Sequence, residues 1–591
     1  MSLARKALLV LAAATLALSV VKADGCKNNN GTACPQAFPC CHNGFCSNSK
    51  DACEKDCDVK ASFNGKCERN TKPVPALPFG SFKIVGETGV AAQHIALVRP
   101  TKMLIIDKAE ANVAKLPSGL SAYNAEYDLT TNKYRVLDVQ TNTFCSGGGF
   151  LPNGTLISAG GAESRHSRSF MTSTGFQSLR MWNPCDDETC EWLENPEDPQ
   201  WSMTGNRWYV SITTLPDGRL FVLGGSNESL AVNRYDTNNP TYELYPKPAD
   251  YKPVYMDFLV DSLPNNLYPN VYPLPDGNLF IFANQKSMIF NLERNEVVKK
   301  LPDIPGGSRS YPLTGTVVLL PLDPAKNYAH EVLVCGGTQT RSRASRALDT
   351  CGRINLSDEN PQWEMDTMPT GRLMSDGVIM ADGKIMILNG CQRGYAGFYR
   401  GGEPVLTPLV YDPDAPLGQR FTNWTASNIP RMYHSVAMLL PDMSIFVAGS
   451  NENSEVRLEK SETVNFVTEY RVENFTPPYL STDLARPEIK TAFPGLIKYA
   501  QKLEVTIDVK DTSLYEPEIV FWLGRRGFVT HSTHMSQRMT KLVANKVREA
   551  GTSITYTVAM PPNANLMPPG PHYFHVTNNG VPSMGIYTLL N

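Results

Sequence analysis

Apolar residues in this chain come in short runs, paired around a turn and closed by glycine. The unit is an apolar strand, a Pro-Asp-Gly type turn, a second apolar strand, then Gly-Gly or a near equivalent. It runs from Leu151-Pro152-Asn153-Gly154 to Gly160-Gly161, and from Leu215-Pro216-Asp217-Gly218 to Gly224-Gly225. It recurs from Leu274-Pro275-Asp276-Gly277 to Phe282-Ala283-Asn284, and a divergent copy ends in Cys335-Gly336-Gly337. Two more run from Ala381-Asp382-Gly383 to Asn389-Gly390 and from Leu440-Pro441-Asp442 to Ala448-Gly449. A weak first copy spans His94 to Asp107 around Pro100-Thr101-Lys102.

Asp-Gly turns suit tight hairpins, and the apolar run after each turn suits a buried strand. A period of roughly 50–65 residues is in the range of kelch-type propeller blades with long loops. The pattern predicts a seven-bladed kelch-type β-propeller over 82–473, which leaves only short, protected edges. Six blades, with the first copy as a strap, is the alternative. Past Asn474 the pattern changes to alternating runs such as Leu503-Glu504-Val505-Thr506-Ile507-Asp508-Val509, and 474–591 is expected to form an immunoglobulin-like β-sandwich. The chain as a whole is predicted all-β. With 591 residues it exceeds one ordinary domain, and its 43 Gly and 44 Pro favour a turn-rich fold.

The N-terminus differs in kind. Residues 1–23 have a basic start, an apolar core and a small-residue stop, which reads as a secretory signal peptide. Eight of the 14 cysteines lie between Cys26 and Cys67. Residues 24–70 are therefore expected to form a small module held by disulfides rather than by a core. Six acceptor sequons, from Asn30 to Asn474, fit a glycosylated extracellular protein. A proline-rich linker is expected at 71–81. The net charge of -3 gives no electrostatic footprint for nucleic acid, and no further apolar stretch is long enough to span a membrane. The chain is expected to be a monomer.

The repeat register carries the chemistry. Cys145, Tyr209 and His434 each lie seven residues before the Pro of their turn. In a propeller, equal register means equal height and equal direction, so a thiol, a phenol and an imidazole should face one central point. Those side chains suit a redox transition metal better than a core. The same register gives Tyr268, Met374 and Gln93. Tyr433 precedes His434, and strict strand alternation would send the two to opposite faces. His531 and His534 likewise point opposite ways on a strand, so one of the two is expected at the metal.

These residues resemble a known family. Phe144-Cys145, Arg207-Trp208-Tyr209, Arg431-Met432-Tyr433-His434-Ser435 and Thr530-His531 are similar to the copper radical oxidases, in their glyoxal oxidase-like branch, with galactose oxidase more distant. Asn389-Gly390-Cys391-Gln392-Arg393-Gly394-Tyr395 adds to the likeness. The Cys40-Cys41 pair with Gly44-Phe45-Cys46 resembles a hevein-type module. That module implies binding of a cell-wall polysaccharide, or a stapled spacer, since its only aromatic residues are Phe38, Phe45 and Phe63.

The resemblance implies one copper ion held by Tyr209, Tyr433, His434 and His531. It implies a Cys145–Tyr209 thioether that carries a protein radical, with Tyr433 as the catalytic base. Tyr268 and Arg393 become candidate substrate contacts. With Cys145 so committed and Cys185 and Cys190 close enough to pair, Cys391 is the expected free thiol. No tryptophan can be matched to the indole that galactose oxidase stacks over its thioether. The implied activity is oxidation of small aldehydes or primary alcohols by dioxygen, with release of hydrogen peroxide, outside the cell or at its wall. A catalytically silent, glycan-binding propeller is the alternative.

Overall fold

The computed structural model describes residues 79–194, 202–229, 231–248, 250–482, 484–510 and 518–591, with the backbone of one N-terminal hairpin, Cys40–His42 against Phe45–Ser47. The predicted signal peptide, the Cys-rich module apart from that hairpin, and the predicted linker as far as residue 78 lie outside the described residues; Ser81, at the predicted linker's end, already begins a strand. The chain divides into two compact units, Met1–Ala76 and Leu77–Asn591.

The second unit opens with seven four-stranded antiparallel blades. The weak first copy is a blade in its own right: His94–Arg99, Lys102–Ile106, Asn124–Asp128 and Lys133–Leu137 pair in sequence order. The ring closes on the last blade. There Ser81–Glu87, from the start of the unit, pairs with Arg471–Thr476 and so supplies the outermost strand. That strand runs past the predicted domain boundary, and the propeller ends after Thr476.

Two local devices repeat. At the floor, the turn carboxylate or amide accepts the peptide N–H two residues on: Asn153 from Thr155 at 3.0 Å, Asp217 from Arg219 at 2.9 Å, Asp276 from Asn278 at 3.0 Å. The next residue needs positive φ, which Gly154, Gly218 and Gly277 supply near 85–90°. At the mouth, a buried arginine donates to the carbonyl that closes the second strand. Arg180 reaches Gly160, Arg207 reaches Gly224, Arg372 reaches Asn389 and Arg431 reaches Gly449, at 2.8–3.2 Å. Arg309 does the same to Gly336. Arg207 and Arg431 are also paired with buried Glu243 and Glu473.

The C-terminal part is one curled nine-stranded sheet. Its long strand Arg538–Ala550 changes partner midway, from Ile519–Arg525 to Ser553–Ala559, so one sheet folds over into the two faces of a sandwich. Val505, Ile507, Phe521, Leu523, Phe574 and Val576 fill the space between. The sandwich sits against the propeller floor: Gly218 faces Pro569, Gly154 faces Tyr587 and Gly383 faces Trp522.

Candidate metal centre

The register residues begin their inner strands in left-handed backbone: Cys145 at φ 55°, Tyr209 at 62°, Tyr268 at 50°, Met374 at 58° and His434 at 65°. Non-glycine residues persist there, at about 1–3 kcal/mol each, only where the surroundings over-determine them. Here a belt of hydrogen bonds between blades does so. The Tyr209 N–H donates to the Cys145 carbonyl (3.0 Å), Tyr268 to Tyr209 (3.1 Å), and Met374 to Thr314 (3.0 Å). Thr314 holds the same register in the divergent blade. The left-handed start also breaks strand alternation. Tyr433 and His434 are consecutive, yet their rings stack with centroids 3.7 Å apart, both toward the centre.

The fourth direction is filled from the C-terminal domain. The hairpin Phe528–Thr530 and Thr533–Met535 adds to the inner strand of the first blade, Thr530 opposite His94 and Phe528 opposite Ala96. The finger reaches the centre because the neighbouring strand is Gly147-Gly148-Gly149. A Cβ on Gly148 would lie 2.2 Å from the Phe528 ring. His534 bonds Asp376 at 2.9 Å, and Gln537 bonds Gly377 and Ile379, all inside the channel. His531 and Ser532 turn at the tip with φ 47° and 65°. His531 therefore faces the centre and His534 the opposite wall.

Cys145 Sγ and the donor nitrogens of His434 and His531 lie within 4.8 Å of one another. The Tyr209 and Tyr433 hydroxyls are 3.3 Å apart, and Tyr311 bridges them at 2.7 and 2.9 Å. The thiol of Cys145 touches the Tyr209 side chain. Burial holds both imidazoles well below the usual histidine range, with mutual repulsion adding to it at His434. Burial likewise lifts both phenols well above theirs. The imidazoles are thus neutral, with lone pairs available, and the phenols await a cation that would favour their ionised form.

The Gln93 amide shows the polarity of this space. Its Nε2 lies 2.9 Å from His434 Nε2, 3.4 Å from His531 Nε2 and 3.3 Å from Cys145 Sγ, while its Oε1 has no partner. Three lone-pair donors converge on one electropositive NH2. Two neutral imidazoles and two phenols, without a carboxylate among them, fit copper(II).

The remaining sequence candidates fall as follows. Met374 lines the small cavity beside Tyr433, His434 and His531. Tyr268 is buried in the wall, with its hydroxyl on the Ser146 carbonyl at 3.0 Å, not at the mouth. Arg393 is exposed and pairs with Glu403 at 3.4 Å, making no contact with the donor cluster among the described residues. Cys185 pairs with Cys190 and Cys335 with Cys351, leaving Cys145 and Cys391 as the free thiols among the described residues.

The sequence did not reveal Tyr311, which lies outside the register, nor the indole against Tyr209. That indole is Trp208, with ring centroids 4.4 Å apart and planes tilted by 46°. Its adjacency to Tyr209 in sequence was the available signal. Phe144 and Phe398, half-buried, lean on His434 at 6.1 and 5.7 Å and form an aromatic mouth.

Residues 103–479 match the glyoxal oxidase N-terminus family and residues 486–589 the galactose oxidase-like early set domain. The chain is 37% identical to aldehyde oxidase GLOX1 of Arabidopsis thaliana, over 84% of this chain and 82% of that protein. It is 34% identical to aldehyde oxidase GLOX of Vitis pseudoreticulata, over 86% and 96%. The fold resembles that of a fungal alcohol oxidase solved in complex with copper, at a TM-score of 0.66 and 19% identity, over 88% of this chain and all of that one. No helix among the described residues is long and apolar enough to cross a membrane. On the match over most of its length and on its relatives, this chain belongs to the glyoxal oxidase family of copper radical oxidases.

Proposed function

We propose that the chain is a secreted oxidase of small aldehydes of the glyoxal and methylglyoxal type, or of primary alcohols, with dioxygen as oxidant and hydrogen peroxide as product. The observation that carries this reading is the convergence of Tyr209, Tyr433, His434, His531 and Cys145 from four distant segments on one buried point. An extracellular location rests on the signal-like N-terminus and the cysteine and sequon content.

Tyr209, Tyr433, His434 and His531 would hold copper, which supplies one-electron redox chemistry when bound. A two-electron oxidation needs a second centre, and Tyr209 is placed to provide it. Its side chain lies beside the Cys145 thiol, and its ring centroid is 4.4 Å from that of Trp208 and 4.3 Å from that of Tyr311. Joining Cys145 Sγ to the Tyr209 ring removes the thiol hydrogen and one ring hydrogen; dioxygen takes both and leaves as peroxide. Electron donation by sulfur then eases loss of an electron from the ring.

Tyr433 Oη is the group placed to take the substrate proton, and Tyr311 links it to Tyr209. The aromatic mouth of Phe144 and Phe398 excludes bulk water and admits a small, weakly polar substrate. A hydrated aldehyde gives up two electrons and two protons, and the products are the carboxylic acid and one peroxide.

The test is peptide mass across Cys145 and Tyr209 after copper loading in air, followed by peroxide release with an aldehyde and alcohol panel. A linked pair lighter by two hydrogens and turnover of small aldehydes support the reading. Separate unmodified peptides after verified loading would sink it.

A further inference from the structure

Tyr433 is held differently from its counterparts in other blades. Trp208 and Leu373 occupy the same place, one residue before the left-handed turn. Each exchanges both backbone hydrogen bonds with the strand beside it: Trp208 with Ser226 at 2.9 and 2.7 Å, Leu373 with Cys391 at 3.0 Å each way. In the last blade one of the two forms, from the Asn451 N–H to the Tyr433 carbonyl at 2.8 Å. The Tyr433 N–H donates instead to a side chain, Oε1 of Glu452, at 3.1 Å.

Glu452 is buried, and it holds a second segment. Its Oε2 accepts from the Gly401 N–H at 3.3 Å, and its backbone carbonyl accepts from the Tyr399 N–H at 2.7 Å. Ser454 Oγ lies 3.1 Å from the Tyr399 hydroxyl. These bonds tie down residues 397–401, a flap that carries Phe398 over the centre. The Phe398 ring centroid is 5.7 Å from those of both Tyr433 and His434. The approach is close: a Cβ on Gly401 would lie 2.7 Å from Glu452 Oε1 and 3.0 Å from Met432 Cε. Burying a carboxylate is costly, and a neutral amide of the same shape would cost less. What the carboxylate adds is a second acceptor, since an amide offers one oxygen and an NH2 that only donates. Two peptide N–H groups, one from the Tyr433 strand and one from the flap, use both oxygens.

We propose that Glu452 is a positioning residue that latches the Phe398 flap to the backbone of Tyr433, and thereby limits the mouth to aldehydes with a small side group. Phe398 touches the centre, and Glu452 acts through it. With the flap held, Phe398 and Phe144 leave a narrow entrance; with it loosened, Phe398 swings away and a bulky group passes. The proposal rests on that mouth being the substrate entrance, as in the function proposed above.

The test uses the full copper-loaded chain, with kcat and KM read from peroxide release on methylglyoxal and phenylglyoxal. The two share the reacting ketoaldehyde and differ in a methyl against a phenyl group. The parent should favour methylglyoxal. Glu452→Gln keeps the shape and removes one acceptor, so the preference should narrow by about 10-fold, the worth of one hydrogen bond, with the change falling on KM for phenylglyoxal. Phe398→Ala should narrow it too. Adding Glu452→Gln to Phe398→Ala should narrow it no further, because the latch works through that ring. A parent that does not discriminate, an equal fall in kcat on both aldehydes with the preference kept, or additive relaxation in the double variant would overturn the proposal.

Amide hydrogen exchange on the metal-free chain separates this idea from the functional reading. The Gly401 amide should exchange slowly in the parent and faster in Glu452→Gln, while the amides of the first blade keep their parental rates. Fast exchange at Gly401 in the parent, or an unchanged rate in the variant, overturns the latch even if the enzyme is active. A parent that releases no peroxide from any aldehyde or alcohol removes the functional reading, while the exchange result still judges the latch.

Discussion

The propeller and the C-terminal sandwich contribute to the same centre by opposite means. The propeller uses repetition: one register and one left-handed backbone turn bring Cys145, Tyr209 and His434 to a common height, and a hydrogen bond between blades ties Tyr209 to Cys145. The sandwich uses a single unrepeated insertion, the Phe528–Met535 finger, which can pass only where a neighbouring strand has no side chains. A ring of blades sets distance to the axis cheaply. It cannot set how a ring is rotated; on the finger, Thr530 Oγ1 lies 2.6 Å from His531 Nδ1 and holds that ring.

If both sources are indispensable, Tyr209→Phe from the ring and His531→Gln from the finger should each abolish peroxide release. A fall on the order of 10^4-fold or more is expected, as when members of one catalytic unit are removed. Residual turnover confined to one of them would show that the two are unequal. Gly148→Val tests access alone. A side chain there meets Phe528, so the finger should be displaced, copper affinity should fall by about 100-fold or more, and overpacking should cost about 1–3 kcal/mol. Near-parental copper titration would mean that the finger has another route.

Arg207→Met probes the repeat device instead. It strands Glu243 and two strand-end carbonyls. A stability loss of about 3 kcal/mol is expected, read as a lower denaturation midpoint with the donor chemistry itself intact. The smallest effect concerns the second free thiol. Burial pushes Cys391 up to about 12, so it stays protonated at mildly alkaline pH and should resist iodoacetamide until the chain unfolds. Rapid labelling of native protein would place it at the surface.

What the sequence disclosed follows the same division. Repetition is visible in a string of residues, so the blades, the register of Cys145, Tyr209 and His434, and even the weak first copy could be read. Tyr433 beside His434 posed a conflict with alternation that only the positive φ of His434 resolves, and no composition rule announces that angle at a histidine. Gln93 shares the register, but Tyr311 acts through three-dimensional proximity and leaves no periodic trace. Arg393 was singled out by the family likeness of its motif, and its side chain pairs with Glu403 at the surface, a partner no sequence pattern announces. His531 could be picked from His534 by family likeness; the geometry gives the reason, a turn at the finger's tip.

The separation of the donors along the chain has a temporal consequence. Cys145 and His531 meet across 386 residues. During synthesis the blades can assemble with the thiol and the phenols already gathered, yet the last nitrogen arrives only when the sandwich has folded and threaded its finger through the floor. The donor set is thus incomplete in every truncated or half-made chain, and only the finished fold assembles it.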